Sequence, residues 1–219
     1  MAKTSLSLLL FFIFIFCITH TVEPSSSSMA RARHSRYPRA RTSFIEASCM
    51  TTRYPALCLK CLSRYANSSK IHNAQQLAQV ALTVSLYRAR YTRSYMLKVA
   101  KELEAMKAKE YPAVRDCLQQ IEDSVIQLSQ SIRELRRLEP RAGMSDDIFL
   151  HINNVETWVS AALTDASFCV DEFPGRRMSK MKATIKGKVL NVAQLTSNAL
   201  ALFHQYAARY RAAATKKLP

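Results

Sequence analysis

Pro112 to Arg137 reads PAVRDCLQQIEDSVIQLSQSIRELRR. Within this stretch Val114, Leu118, Ile121, Val125, Leu128, Ile132 and Leu135 step by alternating fours and threes. That alternation keeps one narrow apolar stripe on one side of an α-helix, which is the seam of a helical bundle. Pro112 suits the first turn of such a helix, and Glu139-Pro140-Arg141-Ala142-Gly143 supplies the stop. The following segment repeats the alternation through Ile148, Ile152, Val155, Val159, Ala162, Ala166 and Cys169. Cys117 opens the first pattern, Cys169 closes the second, and Gly143 lies midway between them in the joining loop. Two antiparallel helices of this kind bring the two cysteines to one end, where a bridge over about fifty residues contributes about 4 kcal/mol in the chain-entropy model.

Two further long patterns flank this pair. One runs from about Asn73 to Met106 and places Leu77, Val80, Val84, Tyr87 or Arg88, Tyr91, Leu103 and Met106 inward. The other runs from Met178 through Met181, Ile185, Val189, Val192, Leu195, Ala199 and Leu202 to Tyr206. Pro112 and Phe173-Pro174-Gly175 mark further stops. Short connections force consecutive helices to alternate in direction, so the fold class is all-α, an up-down-up-down four-helix bundle. Before it, Phe44 to Cys61 carries two short helical patterns around Thr51-Thr52-Arg53-Tyr54-Pro55. Cys49 and Cys58 stand on either side of that turn, and a bridge closing it contributes about 2–3 kcal/mol. The whole chain of 219 residues holds three glycines, which disfavours loop-rich β folds and phosphate-cradling turns.

The N-terminus reads as an export signal. Lys3 precedes an apolar run from Leu8 to Ile18, followed by short polar residues and the tract Ser25 to Ser28. The run is shorter than the roughly 20 apolar residues of a membrane span. Residues 1–24 are therefore assigned to a signal peptide, 25–42 to a basic disordered arm, 43–210 to the helical domain and 211–219 to a flexible tail. The expected product is soluble and secreted, without membrane attachment. Cys17 leaves with the signal, so five cysteines remain and Cys61 is the odd, free thiol.

The chain has 32 Lys and Arg against 16 Asp and Glu, a formal charge of +16. Residues 29–42 hold five arginines and no acid; they read either as a spacer left after cleavage or as an anion-seeking arm. Secretion argues against nucleic acid as the anion. Cys58-Leu59-Lys60-Cys61 matches C-x-x-C, yet lacks the βαβ context of a redox site and the second ligand pair of a zinc site. His72, His151 and His204 are dispersed and read as surface or core residues. The pairs Glu122-Asp123, Asp146-Asp147 and Asp171-Glu172 are adjacent in sequence, so their carboxylates diverge on a helix; near helix starts they would complement the dipole. No catalytic residue, metal ligand or cofactor is assigned. Asn67-Ser68-Ser69 is a glycosylation sequon, and Trp158, beside the seam of the third bundle helix, reads as core.

Phe44-Ile45-Glu46-Ala47-Ser48-Cys49, Thr51-Thr52-Arg53-Tyr54-Pro55-Ala56-Leu57-Cys58, Asp116-Cys117, Trp158-Val159-Ser160-Ala161-Ala162-Leu163-Thr164-Asp165 with Cys169, and Leu195-Thr196-Ser197-Asn198-Ala199-Leu200-Ala201-Leu202 resemble, in this order, the plant invertase and pectin methylesterase inhibitor family. The resemblance covers about residues 43–208. It implies a secreted helical bundle with a hairpin and two disulfides, first family cysteine to second and third to fourth, with Cys61 inserted before the third. The invertase-directed members carry a Pro-Lys-Phe segment between the second and third bundle helices. Here Leu138 to Met144 reads LEPRAGM, and the Ser-Ala-Ala-Leu-Thr and Ser-Asn-Ala-Leu-Ala-Leu runs are similar to the methylesterase-directed side.

The resemblance therefore implies a non-catalytic protein of the apoplast and cell wall that inhibits pectin methylesterase. It would do so in a reversible one-to-one complex lying across the pectin-binding cleft. It implies contacts at Gln119, Glu122, Asp123 and Gln127 on one helix and Thr164, Asp165, Ser167 and Phe168 on the next, Phe168 standing where many relatives have Thr. Inhibition of invertase is the alternative, and a basic pectin-binding cell-wall protein, held to acidic pectin by its arm, the second. An inhibitor-like pro-region of a methylesterase precursor would require a catalytic domain beyond Pro219.

Overall fold

The structure, a computed structural model, describes residues 44–66, 71–138, 147–173 and 178–215. The signal peptide, the basic arm, Asn67, most of the loop carrying Pro140 and Gly143, and the final four residues lie outside the described residues. Residues 44–50 form α1, followed by α2 (Pro55–Leu62) and a 3₁₀ turn, Ser63–Tyr65. Four long helices follow: α3 (Ala74–Ala105), α4 (Tyr111–Arg137), α5 (Asp147–Asp171) and α6 (Lys180–Thr215). The sequence puts the start of a flexible tail at 211, whereas α6 runs on to Thr215.

Local chemistry sets these ends. Asn73 caps α3, its side chain accepting from the Gln76 amide at 2.9 Å. Pro55 and Pro112 occupy first-turn positions of α2 and α4. At the α3–α4 turn Lys107 adopts φ 50°. The Lys107 amide donates to the Glu104 carbonyl and the Ala108 amide to the Leu103 carbonyl, the paired bonds of a Schellman cap made without glycine.

Each long helix packs on its predecessor, and α6 returns to α3. Neighbours run antiparallel: Arg93 meets Glu122 across α3 and α4, Ser85 meets Thr196 and Tyr95 meets Lys188 across α3 and α6. The expected seams of α4 and of α5 from Ile152 onward are buried, as is that of α6 from Ile185; Ile148, Met178 and Met181 are half-buried at the margins.

The expected inner face of α3 holds at Leu77 and Leu103, which are buried, and is corrected between and beyond them. Tyr87, Tyr91 and Met106 are 70%, 52% and 67% exposed, and Val80 and Val84 are half-buried. With Leu77 and Leu103, the core side includes Ala78, Ala81, Leu82, Ser85, Leu86, Ala89, Thr92, Met96 and Val99. Small residues there let α6 approach closely enough for Ser85 and Thr196 to share a 2.6 Å hydrogen bond. Trp158 is also corrected: it is half-buried and outside the buried core. So is the dipole assignment of two acidic pairs. Glu122-Asp123 lies mid-helix in α4, and Asp171-Glu172 lies at the C-terminal end of α5.

The hairpin has little core of its own and is held from outside. The Asn198 amide clamps one residue, accepting from the Tyr54 amide at 3.0 Å and donating to the Tyr54 carbonyl at 2.9 Å. Gln205 donates to Thr51 and to the Ser48 carbonyl. Cys49 and Cys58 are bonded, with Cα atoms 5.6 Å apart.

Candidate functional site

Cys117 in the first turns of α4 and Cys169 near the end of α5 are bonded, with Cα atoms 4.6 Å apart. This bond and the Ser124 hydroxyl, which donates to the Ala162 carbonyl at 3.0 Å, fix the register of the two helices. The register decides which outward residues share a surface. Asp123 and Gln127, four apart on α4, lie beside Asp165 of α5. Gln119 extends the row, its amide donating to Asp123 at 3.2 Å. Burial raises the Asp165 carboxyl above the usual aspartate value; a hydrogen bond from Gln127 opposes the rise and the like charge of Asp123 adds to it. One oxygen of Asp165 and the side-chain amide oxygens of Gln120 and Gln127 are buried without a partner in the protein. Such groups are costly unless something else satisfies them.

Not every expected contact joins this cluster. Glu122 lies on the opposite flank of α4, paired with Arg93 of α3 at 3.0 Å. Ser167 donates to the Leu163 carbonyl at 2.8 Å. It lines a groove of about 270 Å³ on the α6 side, with Arg53, Tyr54, Leu190 and Ser197. Thr164 is exposed and bonded to the Ser160 carbonyl. Phe168, one helical turn beyond Asp165, is 57% exposed. Sequence reasoning missed Ile126, an aliphatic residue 55% exposed on α4. Its signal is that it stands off the four-three seam between Val125 and Leu128. Helical spacing puts Ile126 on the outer side of α4 with Gln119 and Asp123.

The α4–α5 surface is a polar row with two exposed apolar side chains, Ile126 and Phe168, at its margins. Among the described residues no group of three His, Cys, Asp or Glu side chains is placed to hold a metal, and no helix is long and apolar enough to cross a membrane. Cys61 is a free, half-buried thiol in a narrow cleft with Cys58, Val84 and Leu195. His151 and His204 face carboxylates, Glu134 and Glu156.

Residues 43–202 match the profile of the family described as plant invertase/pectin methylesterase inhibitor. The chain is 47% identical over 165 residues to pectinesterase inhibitor 9 of Arabidopsis thaliana, covering 75% of this chain and 80% of that one. It is 43% identical over 169 residues to the 21 kDa protein of Daucus carota, covering 77% and 86%. A crystal structure of a mutant form of a pectin methylesterase inhibitor from Arabidopsis superposes with a TM-score of 0.57 over 75% of this chain and 95% of that one, at 22% identity. At that identity the likeness concerns the fold.

Proposed function

This chain belongs to the plant invertase/pectin methylesterase inhibitor family, and on that premise we propose that it is an inhibitor of a pectin methylesterase. The family is one of enzyme inhibitors, and no reaction is assigned to the chain itself. The observation that carries the choice of target is the 47% identity to a protein named pectinesterase inhibitor over four-fifths of that protein's length. The loop sequence LEPRAGM, without Pro-Lys-Phe, supports the same choice.

The proposed mechanism is steric. The row Gln119, Asp123, Gln127 and Asp165, with Phe168 and Ile126 at its margins, meets the enzyme in a reversible one-to-one complex and covers the cleft that receives the polymer. About 1,600 Å² of total buried surface suffices for a stable complex of this kind. The protein acts in the cell wall after removal of residues 1–24, with Asn67 glycosylated and residues 29–42 retaining it on acidic pectin.

Paired assays against a plant pectin methylesterase and an acid invertase test the reading. Inhibition of the first alone is the expected result; inhibition of invertase alone overturns it. Phe168→Ala and Asp123→Lys should each weaken methylesterase inhibition tenfold or more, since a like-charge or lost apolar contact at an interface costs about 1.4 kcal/mol or more. Helical content must be unchanged. Full inhibition by both variants would move the interface elsewhere.

A further inference from the structure

Charge is segregated between the two sides of the bundle. From Ala74 to Lys101 α3 carries Arg88, Arg90, Arg93, Lys98 and Lys101 and no acid. All of α6 is free of Asp and Glu while holding four lysines and two arginines. In contrast, α5 contains four acids and neither Lys nor Arg. Because α3 packs on α6 and α4 on α5, the side away from the candidate enzyme contact is the basic one.

Aromatic rings stand within that basic side. Tyr87 and Tyr91, one turn apart, are 70% and 52% exposed. The Lys188 ammonium of α6 lies 4.7 Å from the ring centroids of both Tyr91 and Tyr95. This holds the rings in place by cation–π attraction. Beyond Tyr95 the surface opens into a groove of about 480 Å³ with Lys98 on its wall and Glu102 as its one acid. From Tyr87 to Lys98 the row spans roughly 16 Å at the α-helical rise. Lys98 has no carboxylate partner among the described residues, unlike Arg93 and Arg211, which pair with Glu122 and Glu156.

We propose that the α3–α6 face, centred on Tyr91, Lys188 and Lys98, is a binding site for an acidic polysaccharide of the polyuronate class. Exposed tyrosine rings cover the C–H faces of pyranose rings while their hydroxyls stay solvated, and the lysines meet carboxylates along the polymer. Preferring a polyuronate to a nucleic acid rests on the functional reading above, because ester hydrolysis by the target converts neutral methyl esters into carboxylates on this polymer. The site is built from residues of α3 and α6 rather than of the arm, and it leaves the α4–α5 face free, so one inhibitor molecule holds the de-esterified chain while contacting the enzyme.

The test is direct binding of the full secreted chain to a defined galacturonate oligomer, with no enzyme present, so that its outcome is independent of the inhibition assays. Lys98→Gln and Tyr91→Ser, at exposed positions, and Lys188→Gln are made in chains that keep the arm. Combining the two lysine changes should weaken binding about tenfold, the equivalent of about 1.4 kcal/mol, and Tyr91→Ser should weaken it at unchanged salt dependence. A fully methyl-esterified oligomer should bind far more weakly than the acid form. Unaltered binding by all three variants overturns the site, and equal affinity for single-stranded DNA of matched charge overturns the sugar assignment.

Discussion

Glu134 and Asp165 are two partly or wholly enclosed carboxylates tuned in opposite directions. The Glu134 side chain is 5% exposed, with Arg137 at 3.0 Å and His151 at 2.8 Å and the Asn154 amide at 2.9 Å. Burial alone would raise its pKa. Hydrogen bonds from Asn154 and His151, and the charges of His151 and Arg137, outweigh it, so the net shift is downward from 4.5. A folded-state pKa below the unfolded one contributes stability that is present above the unfolded value and lost as pH falls through the folded one. Glu134→Gln should therefore cost about 2 kcal/mol near neutral pH, and denaturant titrations should show that cost shrinking in acid. Asp165 has the opposite sign: its pKa is raised, chiefly by burial. Its contribution is fully present below the ordinary aspartate value of 3.8 and is lost as pH rises through the folded pKa. Asp165→Asn should leave stability at neutral pH equal or higher and flatten its pH slope on the acid side. A loss at neutral pH would mean the carboxylate is paired as an ion.

At the scale of the element, the cap of α3 and the interior of α6 each hold a residue poorly suited to its backbone. Lys107 occupies the left-handed cap position after α3, where a side chain costs roughly 1 kcal/mol relative to glycine; Lys107→Gly should raise the unfolding midpoint. Gly187 lies inside α6, and an added Cβ would meet nothing within 4 Å. Gly187→Ala should stabilise by about 0.5–1 kcal/mol, measurable in the same titrations. A fall in stability would mean either position is constrained by something other than local conformation. These elements also show what the sequence makes legible. The seams of α4, α5 and α6 are written in Leu, Ile and Val, whose spacing can be counted. The core side of α3 mixes Leu77, Leu82, Leu86, Met96 and Leu103 with Ala78, Ala81, Ser85, Ala89 and Thr92; the small residues interrupt the apolar period, and the large Tyr87 and Tyr91 compete with them as inward positions. In the candidate contact surface, the residues come from the family resemblance, and helical spacing adds only that Gln119, Asp123 and Gln127 line up on one side of α4. The divergence of Glu122 toward Arg93 and of Ser167 toward the α6 groove depends on how each helix is rotated about its axis, and polar residues alone do not fix that rotation. Ile126 was legible in principle as an aliphatic residue out of phase with its seam.

At the scale of the molecule, the Cys117–Cys169 bond joins residues 52 apart and removes about 4 kcal/mol of loop entropy from the unfolded chain in the chain-entropy model. That is a large part of the 5–15 kcal/mol typical of a domain. A Cys117→Ser, Cys169→Ser chain should unfold at markedly lower temperature while remaining helical, whereas an unchanged midpoint would mean the unfolded chain is already compact. The Tyr54–Asn198 clamp has a consequence in time. Its partners are 144 residues apart, so during synthesis at about 5–20 residues per second the hairpin exists for roughly 7–30 s before its anchor has been made. The first segment of the domain to leave the ribosome is thus the last to find its place. Until then the hairpin has the short Cys49–Cys58 loop and its packing on α3 to define it, which gives that small crosslink an importance early in the life of the chain as well as in the finished fold.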